Sequence, residues 1–167
     1  MATAWVTGER IVAVGSLCVS NAPGDRLVAH ALGSCLGVAV FDPVARVGGL
    51  LHVPLPSSIE DRDRSRGRPL EYVDTAVPAL FRDCYKLGAT KGRLRVAVAG
   101  GASAGDASAD GFQIGKRNLI MLRKLLWKNG VLIHAHDVGG ERVWRTISLD
   151  VATGRVWLKM SDREGEL

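Results

Sequence analysis

Cys35 is the residue whose type and setting offer the most chemistry. It follows Gly33-Ser34, a pair that bends the chain sharply, exposes the next side chain and can aim successive backbone N–H groups into one concavity. A thiol becomes a nucleophile when its pKa is depressed or a base takes its proton. His52 is the candidate base. Asp42-Pro43 marks a turn between the two, because Asp favours the first turn position and Pro pre-sets φ at the second. If the turn is Asp42-Pro43-Val44-Ala45 with two central residues, Cys35 falls opposite His52 on neighbouring antiparallel strands, with Cβ atoms roughly 5 Å apart. A slip of one residue would send the two side chains to opposite faces. The competing reading of Cys35 is a small buried hydrophobe in an apolar strand.

The other reactive residues read as structural. Cys84 lies on the apolar stripe of a helix, and Cys18 lies in a β-rich segment. Three widely spaced cysteines form no disulfide framework and point to a reducing compartment. His134 and His136 share a strand face and could ligate a metal, but no third ligand is evident and Asp137 points the other way. His30 reads as a packing residue. Gly111-Phe112-Gln113-Ile114-Gly115-Lys116-Arg117 loosely mimics a phosphate-binding loop; its glycine spacing is short by one, and Arg117 stands where Ser or Thr is required. Gly100-Gly101-Ala102-Ser103 lacks the dinucleotide-binding spacing. Both glycine segments read as tight backbone turns.

The elements that must position Cys35 and His52 follow from periodicity and punctuation. Residues 9–20 form a β-rich segment and 26–32 a strand. Residues 35–41 form an apolar run and 47–55 a strand ended by Pro54 and Pro56. Val73, Ala76, Val77, Leu80, Phe81, Cys84 and Leu87 recur at helical spacing over 73–87, with Asp74 as a capping residue and Gly88 as the stop. Pro78 fits this helix only if it starts no earlier than about Thr75. A strand over 93–99 enters the glycine loop. A second helix over 116–128 carries Leu119, Leu122, Leu125 and Leu126 and stops at Asn129-Gly130. A strand over 131–138 and a hairpin of 143–150 with 155–160 around Thr153-Gly154 close the chain. This order predicts an α/β fold, a layered mixed β-sheet domain with two main helices.

Composition narrows the function classes. The 167 residues fit one domain over 1–167, and 47% apolar with 23% charged residues is an ordinary globular balance. The longest run free of Asp, Glu, Lys and Arg, residues 27–41, is 15 long and interrupted by His30, Gly33 and Ser34, too short and polar for a membrane helix. Residues 1–5 lack the pattern of a secretory signal. The net charge of +5 is mild, and the densest charge run, residues 60–68, mixes both signs and reads as a solvated loop. Aromatic residues make up only 5% and do not interleave with basic clusters, so no base-stacking platform for nucleic acid is visible.

Ala31-Leu32-Gly33-Ser34-Cys35-Leu36-Gly37-Val38, followed by Asp42-Pro43-Val44-Ala45-Arg46-Val47-Gly48-Gly49-Leu50-Leu51-His52-Val53-Pro54-Leu55-Pro56, resembles the core of the CheD family of chemoreceptor glutamine deamidases. Tyr72-Val73-Asp74-Thr75-Ala76, Ala99-Gly100-Gly101-Ala102-Ser103, Ile114-Gly115-Lys116-Arg117-Asn118, Asp137-Val138-Gly139-Gly140 and the turn at Thr153-Gly154-Arg155-Val156 extend the likeness over about residues 8–160. The resemblance implies Cys35 as nucleophile and His52 as its partner, and a fold similar to cysteine hydrolases of the bacterial toxin deamidase type. It also implies a cytoplasmic enzyme acting on the helical stalk of chemoreceptors, the methyl-accepting chemotaxis proteins. The expected reaction converts a Gln side chain to Glu through a thioester, with backbone N–H groups around Gly33 and Ser34 supporting the oxyanion. Thiol and imidazole supply that chemistry without a metal or organic cofactor. A CheC-like phosphatase is an expected further partner.

The sequence departs from the family pattern twice. Members can carry a Thr six residues before the cysteine, proposed as a third catalytic residue, where this chain has Ala29. Some carry a bulky apolar pair after the Gly-Gly-Ala-Ser loop that helps dock the phosphatase, where this chain has Ala104-Gly105-Asp106. The alternative function is accordingly a non-catalytic adaptor that binds chemoreceptors or a CheC-like phosphatase.

Overall fold

The computed structural model describes residues 8–105 and 112–167. In chain order the elements are β1 (Glu9–Ile11), β2 (Ser16–Ser20), β3 (Arg26–Leu32), β4 (Leu36–Asp42), β5 (Val47–Val53), α1 (Arg62–Gly67), α2 (Val73–Lys86), β6 (Arg95–Gly100), α3 (Ile114–Lys128), β7 (Ala135–Val138), β8 (Arg145–Asp150), β9 (Val156–Lys159) and β10 (Glu164–Glu166). The described strands form two five-stranded mixed sheets, ordered β1-β3-β8-β9-β10 and β2-β5-β4-β6-β7. The second sheet lies in the middle of three layers. One of its faces receives α2 and α3, and the other packs on the first sheet. This is the mixed α/β layering that the order of elements predicts, with the short, exposed α1 added.

β4 and β5 are buried at every position. Leu36, Val38, Val40, Leu51 and Val53 face the helices with Val73, Val77, Leu80 and Leu122. Ala39, Phe41 and Leu50 face the other sheet with Leu27, Ile147 and Leu149. A strand covered on both faces reads as a continuous apolar run rather than an alternating one, which is the pattern of residues 35–41. At about 1.5–3 kcal/mol for each large apolar side chain removed from water, this double burial fixes the two strands firmly.

The β4–β5 hairpin corrects the sequence reading of register. Asp42 pairs with Val47 and Gly37 with His52, so the connection has four residues, 43–46, instead of two. Asp42 Oδ1 accepts hydrogen bonds from the N–H groups of Val44 and Ala45. Arg46 closes the turn with a bond to the Asp42 carbonyl and takes a left-handed φ of 56°. A plain type I turn splays twisted strands, and the extra left-handed residue restores their geometry. The slip is two residues, an even number, so no side chain changes face.

Three further expectations are corrected. α2 begins at Val73, where the helical spacing begins, and takes Pro78 into its body, so the limit that Pro78 set at about Thr75 does not hold; the Tyr72 carbonyl holds the first turn by accepting from Thr75 and Ala76. Asp74 does not cap that helix. Its carboxylate accepts from the Ser58 N–H and hydroxyl instead, tying the loop after β5 to α2. Part of the mixed-charge run, read as a loop, is α1, with Asp61 capping it through the Arg64 N–H. Gly88 ends α2 with φ at 99°, as expected.

Candidate functional site

The bend at residues 33–35 is held by all three of its carbonyls. Gly33 O accepts from Ala102 N and Cys35 O from Gly101 N, both at 2.9 Å, and Ser34 O accepts from Asn118 Nδ2 at 3.0 Å. In a planar trans peptide the C=O of one residue and the N–H of the next point in opposite directions. With the Gly33 and Ser34 carbonyls drawn toward the glycine loop and α3, the N–H groups of Ser34 and Cys35 are turned away from them.

Close backbone approach explains the glycines here. A Cβ on Gly100, whose φ is 110°, would sit 2.0 Å from the Cys35 carbonyl oxygen, and one on Gly115 would sit 2.3 Å from the Ala102 carbonyl oxygen. These glycines let the loop after β6 lie against the bend, and α3 against that loop. The loop at 100–103 bends sharply at Gly100 and Gly101, both at left-handed φ, as expected; Ile114 to Arg117 instead form the first turn of α3, a correction to the tight-turn reading of that segment, and Gly111 lies outside the described residues.

Cys35 is half-buried, while Ser34 beside it is exposed. Burial pushes the thiol pKa above its ordinary 9.0, and the residue's own backbone N–H offsets this only in part. Cys35 packs against the inter-sheet core. His52 is 2% exposed and reaches Val12, a member of the same core; its Nδ1 lies 3.1 Å from the Val12 carbonyl oxygen. A carbonyl only accepts, so Nδ1 carries the proton and Nε2 holds the lone pair. Burial lowers the His52 pKa below 6.5, and the bond to Val12 raises it less. The buried Nε2 has no hydrogen-bond partner. The fold therefore brings Cys35 and His52 to the same inter-sheet side at adjoining strand ends, but leaves thiol and imidazole unbonded to each other. Gly37, not Cys35, is directly opposite His52.

Beside the bend, Gly33, Ser34, Ala102, Ser103, Arg142 and Trp144 line a cleft of about 340 Å³. Trp144 is 65% exposed, with its ring so close over Gly33 that a Cβ there would lie 2.8 Å from the indole. Behind the glycine loop, the buried Arg145 guanidinium bonds Asp137 at 2.8 Å and the carbonyls of Gly139 and Gly100. Arg163 also pairs with Asp137.

The remaining candidates lie elsewhere. Cys84 is buried between α2 and β5, with its pKa pushed up to about 12, chiefly by burial. Cys18 pairs with Leu50 on the edge strand β2. His134 Nδ1 accepts from Val96 N, and His136 is exposed on β7. Among the described residues no group of three or more His, Cys, Asp or Glu is placed to hold a metal. Ala29, where members of the family can carry a Thr, is wholly enclosed opposite Ile147. Two contributors escaped the sequence reading of the site: the Val12 carbonyl, which as a backbone atom leaves no residue signature, and the Asn118 side chain, whose partners are 84 and 64 residues away.

The profile of the CheD family, described as CheD chemotactic sensory transduction, matches residues 54–160. The chain belongs to the CheD family. "Probable chemoreceptor glutamine deamidase CheD 1" of Syntrophus aciditrophicus is 47% identical over 92% of this chain and 95% of its own. "Probable chemoreceptor glutamine deamidase CheD" of Solibacter usitatus is 43% identical over 94% and 92%. The protein of that name from Thermococcus kodakarensis is 40% identical over 89% and 90%. The profile match begins two residues after His52, whereas the match to the Syntrophus CheD leaves too few residues outside it to omit Cys35. Among solved structures, the crystal structure of Bacillus licheniformis hypothetical protein YfiH covers 75% of this chain and 50% of its own at 12% identity and a TM-score of 0.45. That likeness is too distant to speak to fold or chemistry. Among the described residues no helix is long and apolar enough to cross a membrane.

Proposed function

We propose that this CheD protein is a protein-glutamine deamidase of chemoreceptors, with Cys35 as nucleophile and His52 as general base and acid. Neutral imidazole is the form that can take a proton, and the tautomer set by Val12 leaves Nε2 free to do so. Nε2 removes the thiol proton as Sγ bonds to the glutamine amide carbon. The carbonyl oxygen becomes an oxyanion, supported by the outward N–H groups of the bend. The imidazolium returns its proton to the amide nitrogen, the C–N bond breaks, and ammonia leaves a thioester. Nε2 then takes a proton from water as its oxygen attacks the thioester. The C–S bond breaks, glutamate forms and the thiol is restored. A glutamate methyl ester would follow the same route with methanol as leaving group.

The observation that carries this reading is the enclosed, unpartnered Nε2 of His52, held on the same side of the sheet as Cys35 in a chain whose CheD relatives bear the deamidase name. The kinship with cysteine hydrolases of the toxin deamidase type, the cytoplasmic location and a CheC-like phosphatase as further partner belong to the same proposal. The deciding experiment is intact-mass analysis of receptor cytoplasmic fragments after incubation, with Cys35→Ala as control. Each converted amide gains about 1 Da, since hydrolysis exchanges NH2 for OH through the covalent intermediate. Wild type that binds its cognate receptor without changing its mass refutes the deamidase and leaves the adaptor.

A further inference from the structure

We propose that Asn118 is a positioning residue for Cys35 and His52, holding the thiol bend at a fixed separation from the strand end that carries the imidazole. This rests on the reading of those two residues given above. The β4–β5 ladder stops just short of the thiol. Its last pair is Leu36 with Val53. The next would set Cys35 opposite Pro54, which has no N–H to donate. The residue after that, Leu55, already gives its N–H to the Glu71 carbonyl. The regular rungs therefore run out where the thiol sits, and neither Pro54 nor Leu55 can donate a backbone bond to the bend.

Asn118 bridges that gap from a third element. It is the fifth residue of α3 and is wholly buried, on a helix whose charged residues lie at or near the surface. Its amide nitrogen is 3.0 Å from the Ser34 carbonyl oxygen and 3.0 Å from the Pro54 carbonyl oxygen. Both partners are pure acceptors, so only the nitrogen can face them, and its two hydrogens serve one carbonyl each. Ser34 adjoins the nucleophile, and Pro54 lies two residues beyond the base. One planar amide thus fixes the backbones on either side of the reacting pair. The opposite end of the same amide, Oδ1, is buried without a partner. That orphaned acceptor is an unfavourable feature, tolerated here alongside two long-range bonds that both converge on the site.

The test uses the full chain with Asn118→Ala and Asn118→Ser, the latter keeping one hydroxyl donor. Folding is checked by circular dichroism and thermal melting. Deamidation kcat and KM are measured on a receptor fragment. The rate at which iodoacetamide labels Cys35 is followed against pH on the Cys35 peptide, beside wild type and His52→Ala. Folded Asn118→Ala should lose about 10- to 100-fold in kcat, the scale of an ångström misplacement, with KM within about twofold by the same reasoning that binding is untouched. Its labelling at neutral pH should fall to the His52→Ala level, and Asn118→Ser should lie between it and wild type. If Asn118→Ala does not fold, the same readings on Asn118→Ser decide. A folded variant with lowered melting temperature but wild-type kcat and labelling profile overturns the positioning role. Wild-type Cys35 that labels no faster than in His52→Ala overturns the thiol–imidazole reading, and the positioning role with it.

Discussion

The resting pair should be a neutral thiol beside a neutral imidazole rather than a thiolate–imidazolium ion pair. Burial disfavours the charged form of both groups, so it raises the Cys35 pKa above 9.0 and lowers the His52 pKa below 6.5. At pH 7 a thiol titrating above 9.0 is less than about 1% thiolate, and each unit of pH up to 9 multiplies that fraction by about ten. Iodoacetamide labelling of the Cys35 peptide in His52→Ala should follow that slope, rising about 100-fold between pH 7 and 9. In wild type, transfer to Nε2 lifts the neutral-pH rate above this line. In the proposed deamidation, His52 must be unprotonated to accept the thiol proton. The acid limb of kcat/KM therefore falls below pH 6.5, and activity is retained on mild acidification until the imidazole charges. His52→Ala should lower kcat by about 10²- to 10⁴-fold, the usual worth of a positioned acid–base group. A wild-type labelling rate that levels off below pH 7, or an acid limb above pH 6.5, would falsify this account, because either requires a stabilised ion pair that the buried site does not provide.

Other perturbations test the frame around the pair. Gly100→Ala would drive a Cβ to 2.0 Å from the Cys35 carbonyl oxygen at a left-handed φ, so it should abolish measurable deamidation and lower the melting temperature by several degrees. Asp42→Ala removes a fully buried carboxylate that accepts from Val44, Ala45, Thr90 and Arg93. It should destabilise by about 1–3 kcal/mol in urea unfolding, the penalty of leaving its donors without an acceptor; a midpoint unchanged from wild type contradicts the role given to this turn. Thermal melting should become less stable as pH falls below 6.5, because the unfolded chain protonates His52 before the folded one does. His52→Ala should flatten that limb, and an equally steep limb in the variant would assign it to other groups. Ala29→Thr crowds an enclosed site and should cost about 1–3 kcal/mol, with no rise in kcat on receptor fragments.

The strands that carry the site could be read from sequence because their boundaries are chemical. Arg26 and Gly33 bracket β3, Asp42-Pro43 ends β4, and Pro54 ends β5, while apolar runs between such stops have few other uses. The hairpin register could not be read, because it depends on Arg46 adopting a left-handed backbone that its residue type does not announce. The helix start at Val73 could be read from apolar spacing; the local preference of Pro78 asks for a later one and yields to the packing of Val73, Ala76 and Val77 on the central sheet. β10 is a three-residue edge strand whose pairing with β9 leaves no periodic signal. Residues 35 and 52 stand out by type and by family likeness; what holds them does not, since it consists of backbone carbonyls and one amide brought from a helix more than sixty residues later.

That distinction bears on Ala29. A third catalytic side chain serves a histidine by fixing its tautomer and orientation and by stabilising the imidazolium. The Val12 carbonyl performs the first task through Nδ1 without a side chain at position 29. Being neutral, it contributes little to the second, in keeping with a His52 pKa held below 6.5 by burial. The Thr that family members can carry at this position would therefore add a hydroxyl to a site whose proposed base already has its orienting acceptor, and Ala29 taken alone does not argue for the adaptor. The orienting acceptor is carried on the segment after β1, whose place is set by the bond from Val12 N to the Val28 carbonyl at 2.7 Å and by the bond from Gly15 N to the His52 carbonyl at 2.8 Å. The second of these ties that segment directly to the residue it orients, so the acceptor and the imidazole are positioned by one continuous piece of backbone pairing rather than by a separate side chain that substitution could remove.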